Sequence, residues 1–286
     1  MNRIRSIRFL CLLVFCEFVL LFVTGCGDSP SSSGMQNAQA TQATTSVATA
    51  GTNSMMQTLF DDFESSSIAS FWLPGDYGSG LYVSGAIKVS TNYARTGSNS
   101  VQITIHQGDI ERPGDAGTRV ERDELDSGHF PLRGREAWYG FSFLIPENFP
   151  ILDNRLVISS CKQSDVSRPL TAQRFRNGKH TLTVESQGLK KEYRLPPLPL
   201  GKWVDMIYHA RYSAEQDGIF QVWMNGKQVV SYSGPLADRD AKNAFYHKIG
   251  LYRDCIPEPM TIYFDNYTMG ETFQSVDPAR FDKSGH

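Results

Sequence analysis

Between residues 203 and 232 the chain offers two hairpin turns in close succession. Asp217-Gly218 and Asn225-Gly226 separate three runs rich in β-formers, at 203–212, 219–224 and 228–232. Both dipeptides tolerate positive φ and suit tight turns, which predicts a three-stranded antiparallel meander. Similar signals recur on either side. Val101, Ile103 and Ile105 alternate with Gln102, Thr104 and His106, the pattern of a half-buried strand. Further short strands are predicted at 60–64, 86–90, 119–125, 137–146, 155–163, 180–187, 191–195, 246–254 and 260–269. Long amphipathic helices are absent from the pattern. Many strands without helical crossovers imply an all-β sandwich of two antiparallel sheets. A concave sheet of this kind forms a groove for an extended polymer.

The stretch at 246–254 carries the strongest hint of a site. As a strand it points Lys248, Gly250, Tyr252 and Asp254 one way, and Ile249 and Leu251 the other. Glycine inside a strand costs stability and often marks close approach by a ligand or another backbone. Two readings stay open: the floor of a binding groove, or a half-exposed strand with ordinary polar residues outside.

The N-terminus reads as an export signal. Arg3, Arg5 and Arg8 precede an apolar run at 9–23, which ends in Val23-Thr24-Gly25-Cys26. That ending is similar to a bacterial lipobox, with Cys26 the lipidated first residue of the mature chain. An ordinary secretory signal and an uncleaved anchor are the alternatives. Residues 27–58 are rich in Ser, Thr, Ala and Gln, and read as a flexible tether between membrane and domain. The remaining 59–286 form one domain, folded to about Thr272. An extracytoplasmic, lipid-anchored, monomeric protein is expected. The formal net charge is −2. A nucleic-acid partner is excluded, since such binders are usually basic overall. An anionic ligand would need a local basic groove.

Several stretches look like the heparin lyase I and glucuronan groups of lyases. They include Phe60-Asp61-Asp62-Phe63-Glu64, Trp138-Tyr139-Gly140-Phe141-Ser142-Phe143, Gly201-Lys202-Trp203-Val204-Asp205, Val222-Trp223-Met224-Asn225-Gly226-Lys227 and Tyr263-Phe264-Asp265-Asn266. Arg122-Asp123-Glu124-Leu125 looks like the Arg-x-Glu-Leu motif of alginate lyases, and Lys248-Ile249-Gly250-Leu251-Tyr252 like Lys-x-x-x-Tyr. The chain thus resembles the jelly-roll polysaccharide lyases over most of 59–272. The resemblance implies a concanavalin A-like β-jelly roll with a concave substrate groove and an anionic uronic-acid polysaccharide as partner. It implies that Arg122 contacts the uronate carboxylate and that Tyr252 is a catalytic acid or base. In Val157-Ile158-Ser159-Ser160-Cys161-Lys162, Ser160 and Lys162 stand where alginate lyases carry Gln and His. That departure weakens an alginate assignment.

The chemistry can be argued from the residues. β-Elimination removes the proton at C5 of a uronate and expels the oxygen at C4. The adjacent carboxylate must be neutralised first, and the planar fork of Arg122 matches it. Glu124, on the same strand face, would orient Arg122 or share a proton with the substrate. A phenol ionises near pH 10 in water, so Tyr252 as a base needs cations beside it, from Arg122 or Lys162. Lys248 is too far along the strand and would hold a neighbouring sugar. In glucuronate the C5 proton and C4 oxygen lie on one side of the ring, so one residue can act as base and then acid. This favours a glucuronan-type substrate.

Ser160, His106 and His209 are further candidates to line the groove, although a lone strand histidine is more often a structural partner. No cofactor is required. Asp61, Asp62 and Asp265 offer carboxylates for a structural calcium ion, without clustered spacing. Rival readings are a non-catalytic carbohydrate-binding lipoprotein and a glycoside hydrolase, which would need two facing carboxylates. Cys11 and Cys16 lie in the signal, which leaves Cys161 and Cys255. The resemblance puts their strands in one sheet, implying either a bridge or contact behind the site, or two separate thiols.

Overall fold

The computed structural model describes residues 58–74, 83–109, 112–113 and 119–282. The expected export signal with Cys26, and nearly all of the expected tether, lie outside the described residues. In chain order the strands are β1 (Leu59–Asp61), β2 (Leu73–Pro74), β3 (Ile87–Ser90), β4 (Ser100–Ile105), β5 (Arg112–Pro113), β6 (Arg119–Asp126), β7 (Glu136–Leu144) and β8 (Leu156–Gln163). Then come β9 (Thr171–Arg176), β10 (Lys179–Ser186), β11 (Leu189–Arg194), β12 (Trp203–Arg211), β13 (Ile219–Met224), β14 (Lys227–Ser233), β15 (Phe245–Asp254) and β16 (Met260–Gly270).

Two antiparallel sheets result. One runs β14-β13-β12-β7-β16-β4-β3, with β1 also paired to β16. The other runs β11-β10-β9-β8-β15-β6-β2, with β5 beside β6. The fold is a jelly-roll sandwich. Period-two alternation decides what lies between the sheets. Tyr139, Phe141 and Phe143 of β7 and Val204, Met206 and Tyr208 of β12 meet Leu125, Ile158, Leu182, Ile249 and Leu251 of the second sheet in one buried core. The intervening residues of β6, β8 and β15 are thereby turned to the second sheet's outer face.

The meander forms, with a difference at its first turn. Asn225 and Gly226 both have positive φ, 49° and 74°, and close a two-residue hairpin. Asp217-Gly218 does not, because the β12–β13 connection spans 212–218. Gly218 is needed for space: a Cβ there would lie 2.4 Å from the Gly234 carbonyl oxygen. The chain also folds beyond Thr272, as a short α-helix (Phe273–Val276) and a 3-10 turn (Pro278–Phe281) on β16.

Cys161 and Cys255 are not bridged. Cys161 is buried and faces the core, as alternation requires, but it pairs with His247. Cys255 lies eight residues farther along, about 26 Å at about 3.3 Å per residue. Register alone therefore separates the thiols, and both are free.

Polar groups in the core are mostly tied together. Tyr208 donates to Gln173 Oε1 at 2.7 Å, and Gln173 Nε2 lies 2.9 Å from His180 Nε2. His180 Nδ1 donates to the Pro196 carbonyl at 2.9 Å, which leaves Nε2 to accept from Gln173. Burial pushes His180 down to about 4. His247 is fully enclosed by the Tyr139, Phe141, Tyr208 and Tyr267 rings, and burial pushes it down to about 3. A histidine held neutral in the fold but free to charge when unfolded stabilises the fold above its unfolded pKa near 6.5; that contribution is lost as pH falls towards the folded value. The denaturation midpoint should therefore fall as pH drops from about 6.5 to about 4, with His247 alone contributing up to roughly 4 kcal/mol over the wider window down to about 3. In urea titrations across this range, His247→Phe should flatten the fall. An equally steep fall in that variant would show that His247 does not set the acid limit.

Candidate active site

Strand β15 is the middle of the site because β6 and β8 pair with it on either edge. Tyr252 lies opposite Arg122 of β6 and Val157 of β8, Gly250 opposite Glu124, and Lys248 opposite Ser160. Directly opposed residues share a face of the sheet, so these side chains converge. They line a cleft of about 380 Å³ with Arg155, Lys162, Arg168, Arg174, Glu185 and Lys190. Seven of the lining residues are Lys or Arg and two are Glu. The basic groove expected of an anion binder is thus local, on a chain whose net charge is −2.

At one end stands the phenol of Tyr252. Arg155 Nη1 donates to its oxygen at 3.2 Å. The Arg122 guanidinium lies over the ring, 4.8 Å from its centroid. Arg155 is itself fixed by Asp254, whose Oδ2 accepts its backbone N–H at 2.7 Å and whose Oδ1 lies 3.3 Å from its Nε. Two guanidiniums thus contact one phenol, one at its oxygen and one over its ring face. Behind them, on the core side, Arg253 donates to Glu121 at 2.8 Å and to the carbonyls of Ile256 and Glu258. Both members of that pair are 0% exposed. It clamps β15 to β6 directly behind Tyr252 and Arg122.

The middle of the cleft is a second buried pair. Lys248 Nζ donates to Glu124 Oε2 at 3.1 Å, with side chains 3% and 8% exposed. Glu124, expected to orient Arg122 or to share a proton with the substrate, is engaged with Lys248, and the charge of Lys248 is balanced within the protein. Lys162 also differs from expectation. It pairs with Tyr246, six residues from Tyr252 and so about 20 Å along the strand. Its Nζ donates to the Ser167 carbonyl at 3.3 Å. It lines the far part of the cleft, and Arg155 takes the place beside the phenol that had been assigned to it.

Two sequence candidates are elsewhere. His209 is on β12 of the other sheet, stacked on Trp138 at 3.8 Å and bonded to Glu136 and Gln221. His106 follows β4, in that same sheet, and bonds Asp109. Neither lines the cleft. The calcium reading does not fit either. The Asp61 oxygens accept from Phe63 N, Ala69 N and Trp72 Nε1. Those of Asp265 accept from Arg95 N, Thr96 N and Asn266 N, and burial raises it to about 7. Donors aimed at both carboxylates leave them poor ligands. Among the described residues no group of three or more His, Cys, Asp or Glu is placed to hold a metal ion.

Arg155 and Arg174 were not anticipated. Arg174 sits on β9, a strand missed because Gln173 and Arg174 interrupt its apolar pattern. A turn signal was present: Asn177 and Gly178, with φ 47° and 72°, close the β9–β10 hairpin.

A family model described as polysaccharide lyase matches residues 27–268. The chain belongs to the polysaccharide lyase family. No curated protein is detectably similar in sequence. Among solved structures, the endo-β-1,4-glucuronan lyase of the fungus Trichoderma reesei aligns with a TM-score of 0.57 at 16% identity, covering 73% of this chain and 98% of that one. The cellulose-induced protein Cip1 gives 0.52 at 15%, covering 75% and 97%. Alginate lyase A1-II′ gives 0.51 at 16%, covering 68% and 86%. At such identities these likenesses speak for the shared fold.

Gly250 holds the polysaccharide lyase cleft together from below. Its φ is +138°, and a Cβ there would lie 2.5 Å from the Asp123 carbonyl oxygen and 2.7 Å from Glu124 Cα. Both obstacles are backbone, so β6 would have to move, carrying Arg122 and Glu124. Gly250→Ala should cost at least about 1–3 kcal/mol and most of the activity. A wild-type melting temperature in this variant would contradict the close approach.

Proposed function

We propose that this lyase cleaves a uronic-acid polysaccharide, with a glucuronan-type polymer favoured, by β-elimination at Tyr252. The observation that carries the reading is the phenol oxygen at 3.2 Å from Arg155 with Arg122 over its ring. In this mechanism Arg122 neutralises the uronate carboxylate and stabilises the charge that develops as C5 is deprotonated. The Tyr252 phenolate takes the C5 proton. The electron pair forms the C4–C5 double bond, and the C4–O bond breaks. The same phenol returns the proton to the departing oxygen, which a shared ring face allows in glucuronate. Arg155 stabilises the phenolate before the first proton transfer and again after the second. The Lys248–Glu124 pair forms a polar floor of balanced charge.

Substrate choice rests on two supports: the fold shared with a glucuronan lyase, and Ser160 and Lys162 where alginate lyases carry Gln and His. The lipobox-like Val23-Thr24-Gly25-Cys26 supports a lipid-anchored, extracytoplasmic enzyme that meets its polymer outside the cell.

The test is ultraviolet absorbance from unsaturated uronate ends after incubation with glucuronan, heparin, hyaluronan and alginate. Glucuronan should give the highest rate. A hydrolase would yield reducing ends without absorbance, and a binding protein neither. Tyr252→Phe should retain less than about a tenth of wild-type turnover, since general acid–base catalysis typically supplies about 10² to 10⁴. Higher retention would remove Tyr252 from the chemistry. Arg122→Ala should be nearly inactive, with poor rescue by lysine because a point charge does not replace a bidentate fork. Arg155→Ala should lose most of the turnover while KM changes little, because its contact is to the reacting phenol. A rise in KM with turnover unchanged would mean that Arg155 only shapes the cleft.

A further inference from the structure

The line of cations continues past the cleft. Val157 faces Tyr252 on one side and Arg174 on the other; Arg174 faces Thr181, and Thr181 faces Arg194. Arg174 lines the cleft, and so does Glu185, which shares a strand face with Thr181. Residues opposed across antiparallel strands project to the same side. Arg122, Tyr252, Arg174 and Arg194 therefore stand in one row across the strands. At about 4.8 Å per strand, Arg174 is roughly 14 Å from Arg122, and Arg194 roughly 10 Å beyond it. Such spacings exceed one sugar ring, so neither arginine serves the carboxylate held at Arg122.

Three other cations in the groove already have counter-charges. Lys248 is paired with Glu124, Arg168 with Asp238, and Lys190 with Glu185. Arg174, half-buried, donates to the Thr183 hydroxyl at 3.4 Å, and neither it nor exposed Arg194 has a carboxylate partner among the described residues. Burial first, and then the neighbouring Arg155, disfavour the charge on Arg174, and the carboxylates of Glu185 and Glu192 offset this only in part. A partly desolvated cation with no carboxylate bonded to it gains from a ligand that supplies one.

We propose that Arg174 and Arg194 each seat a further uronate carboxylate, so that the groove grips a polyanion lying across the strands from β6 to β11. This rests on Arg122 and Tyr252 marking the cleavage point. The preferred substrate is then a polymer whose acid groups recur along the chain, held on the β11 side of the broken bond.

The experiment measures binding in the Tyr252→Phe background, by affinity electrophoresis and calorimetry with glucuronan. There Arg174→Gln and Arg194→Gln should each weaken binding about three- to tenfold, and added salt should narrow the difference. A di-uronate, too short to reach Arg194, should bind the Arg194→Gln protein and its parent alike. Lys227→Gln, at the turn between β13 and β14, is the charge-matched control and should bind like the parent. Arg194 is exposed near the sheet edge, so its variant should fold normally; Arg174→Lys keeps the charge and should retain most of the affinity. Unchanged binding of glucuronan to both glutamine variants overturns the proposal, as does an equal loss of binding to an uncharged glucan. Failure of the lyase reading looks different: wild-type protein releases no unsaturated uronate from any uronan, whatever the variants do to binding.

Discussion

Strand β15 is hydrogen-bonded along both edges, to β6 and to β8, and its residues cannot trade faces without breaking both ladders. Ile249 and Leu251 are committed to the core, so Lys248 and Tyr252 are committed to the groove. The same double pairing brings Arg122 from one side. From the other it brings the start of β8, where Arg155 reaches the phenol. Sliding β15 by one residue would bury a lysine among Tyr139, Phe141 and Tyr208 and expose isoleucine to solvent. The hydrophobic pattern of the core thus sets the register of the chemistry.

Charge is distributed in the cleft according to how much each group must be held still. Lys248 and Glu124 are almost fully buried, and each is the other's counter-ion. Removing either leaves an uncompensated buried charge, which typically costs about 3–5 kcal/mol. Arg122 and Arg155 both lie over the Tyr252 ring, and Arg155 is also held by Asp254. Arg253 and Glu121 repeat the buried arrangement on the core side. A stiff layer of paired charge therefore backs a row of cations that face solvent.

What could be read from the sequence was what period two and short motifs encode. Arg122, Glu124, Ser160, Lys162, Lys248 and Tyr252 all line one cleft because each lies on a strand whose two faces are distinct in composition. Distances between strands were not legible. Nothing local places Arg155, at the mouth of β8, beside Tyr252, ninety-seven residues on. Nothing local shows Lys248 reaching Glu124, or Cys161 pairing with His247 and so far from Cys255. His209 has the alternation of a groove residue, but its strand belongs to the opposite sheet, and sheet membership is decided by long-range pairing. Asp217-Gly218 looked like a tight turn because the dipeptide permits one. The crowding at the Gly234 carbonyl, visible only in three dimensions, gives that glycine a different purpose.

Strand β11 closes one end of the groove sheet, and among the described residues β10 is its only neighbour there. An outermost strand offers unpaired backbone donors and acceptors to any other extended chain, including a second copy of the same protein. Along β11 the residues are Leu189, Lys190, Lys191, Glu192, Tyr193 and Arg194, mostly exposed and dense in charge. Charges of this kind guard a sheet margin against edge-to-edge aggregation. Evolution cannot adjust that strand for ligand contact alone, because every charge removed from it also makes the margin stickier.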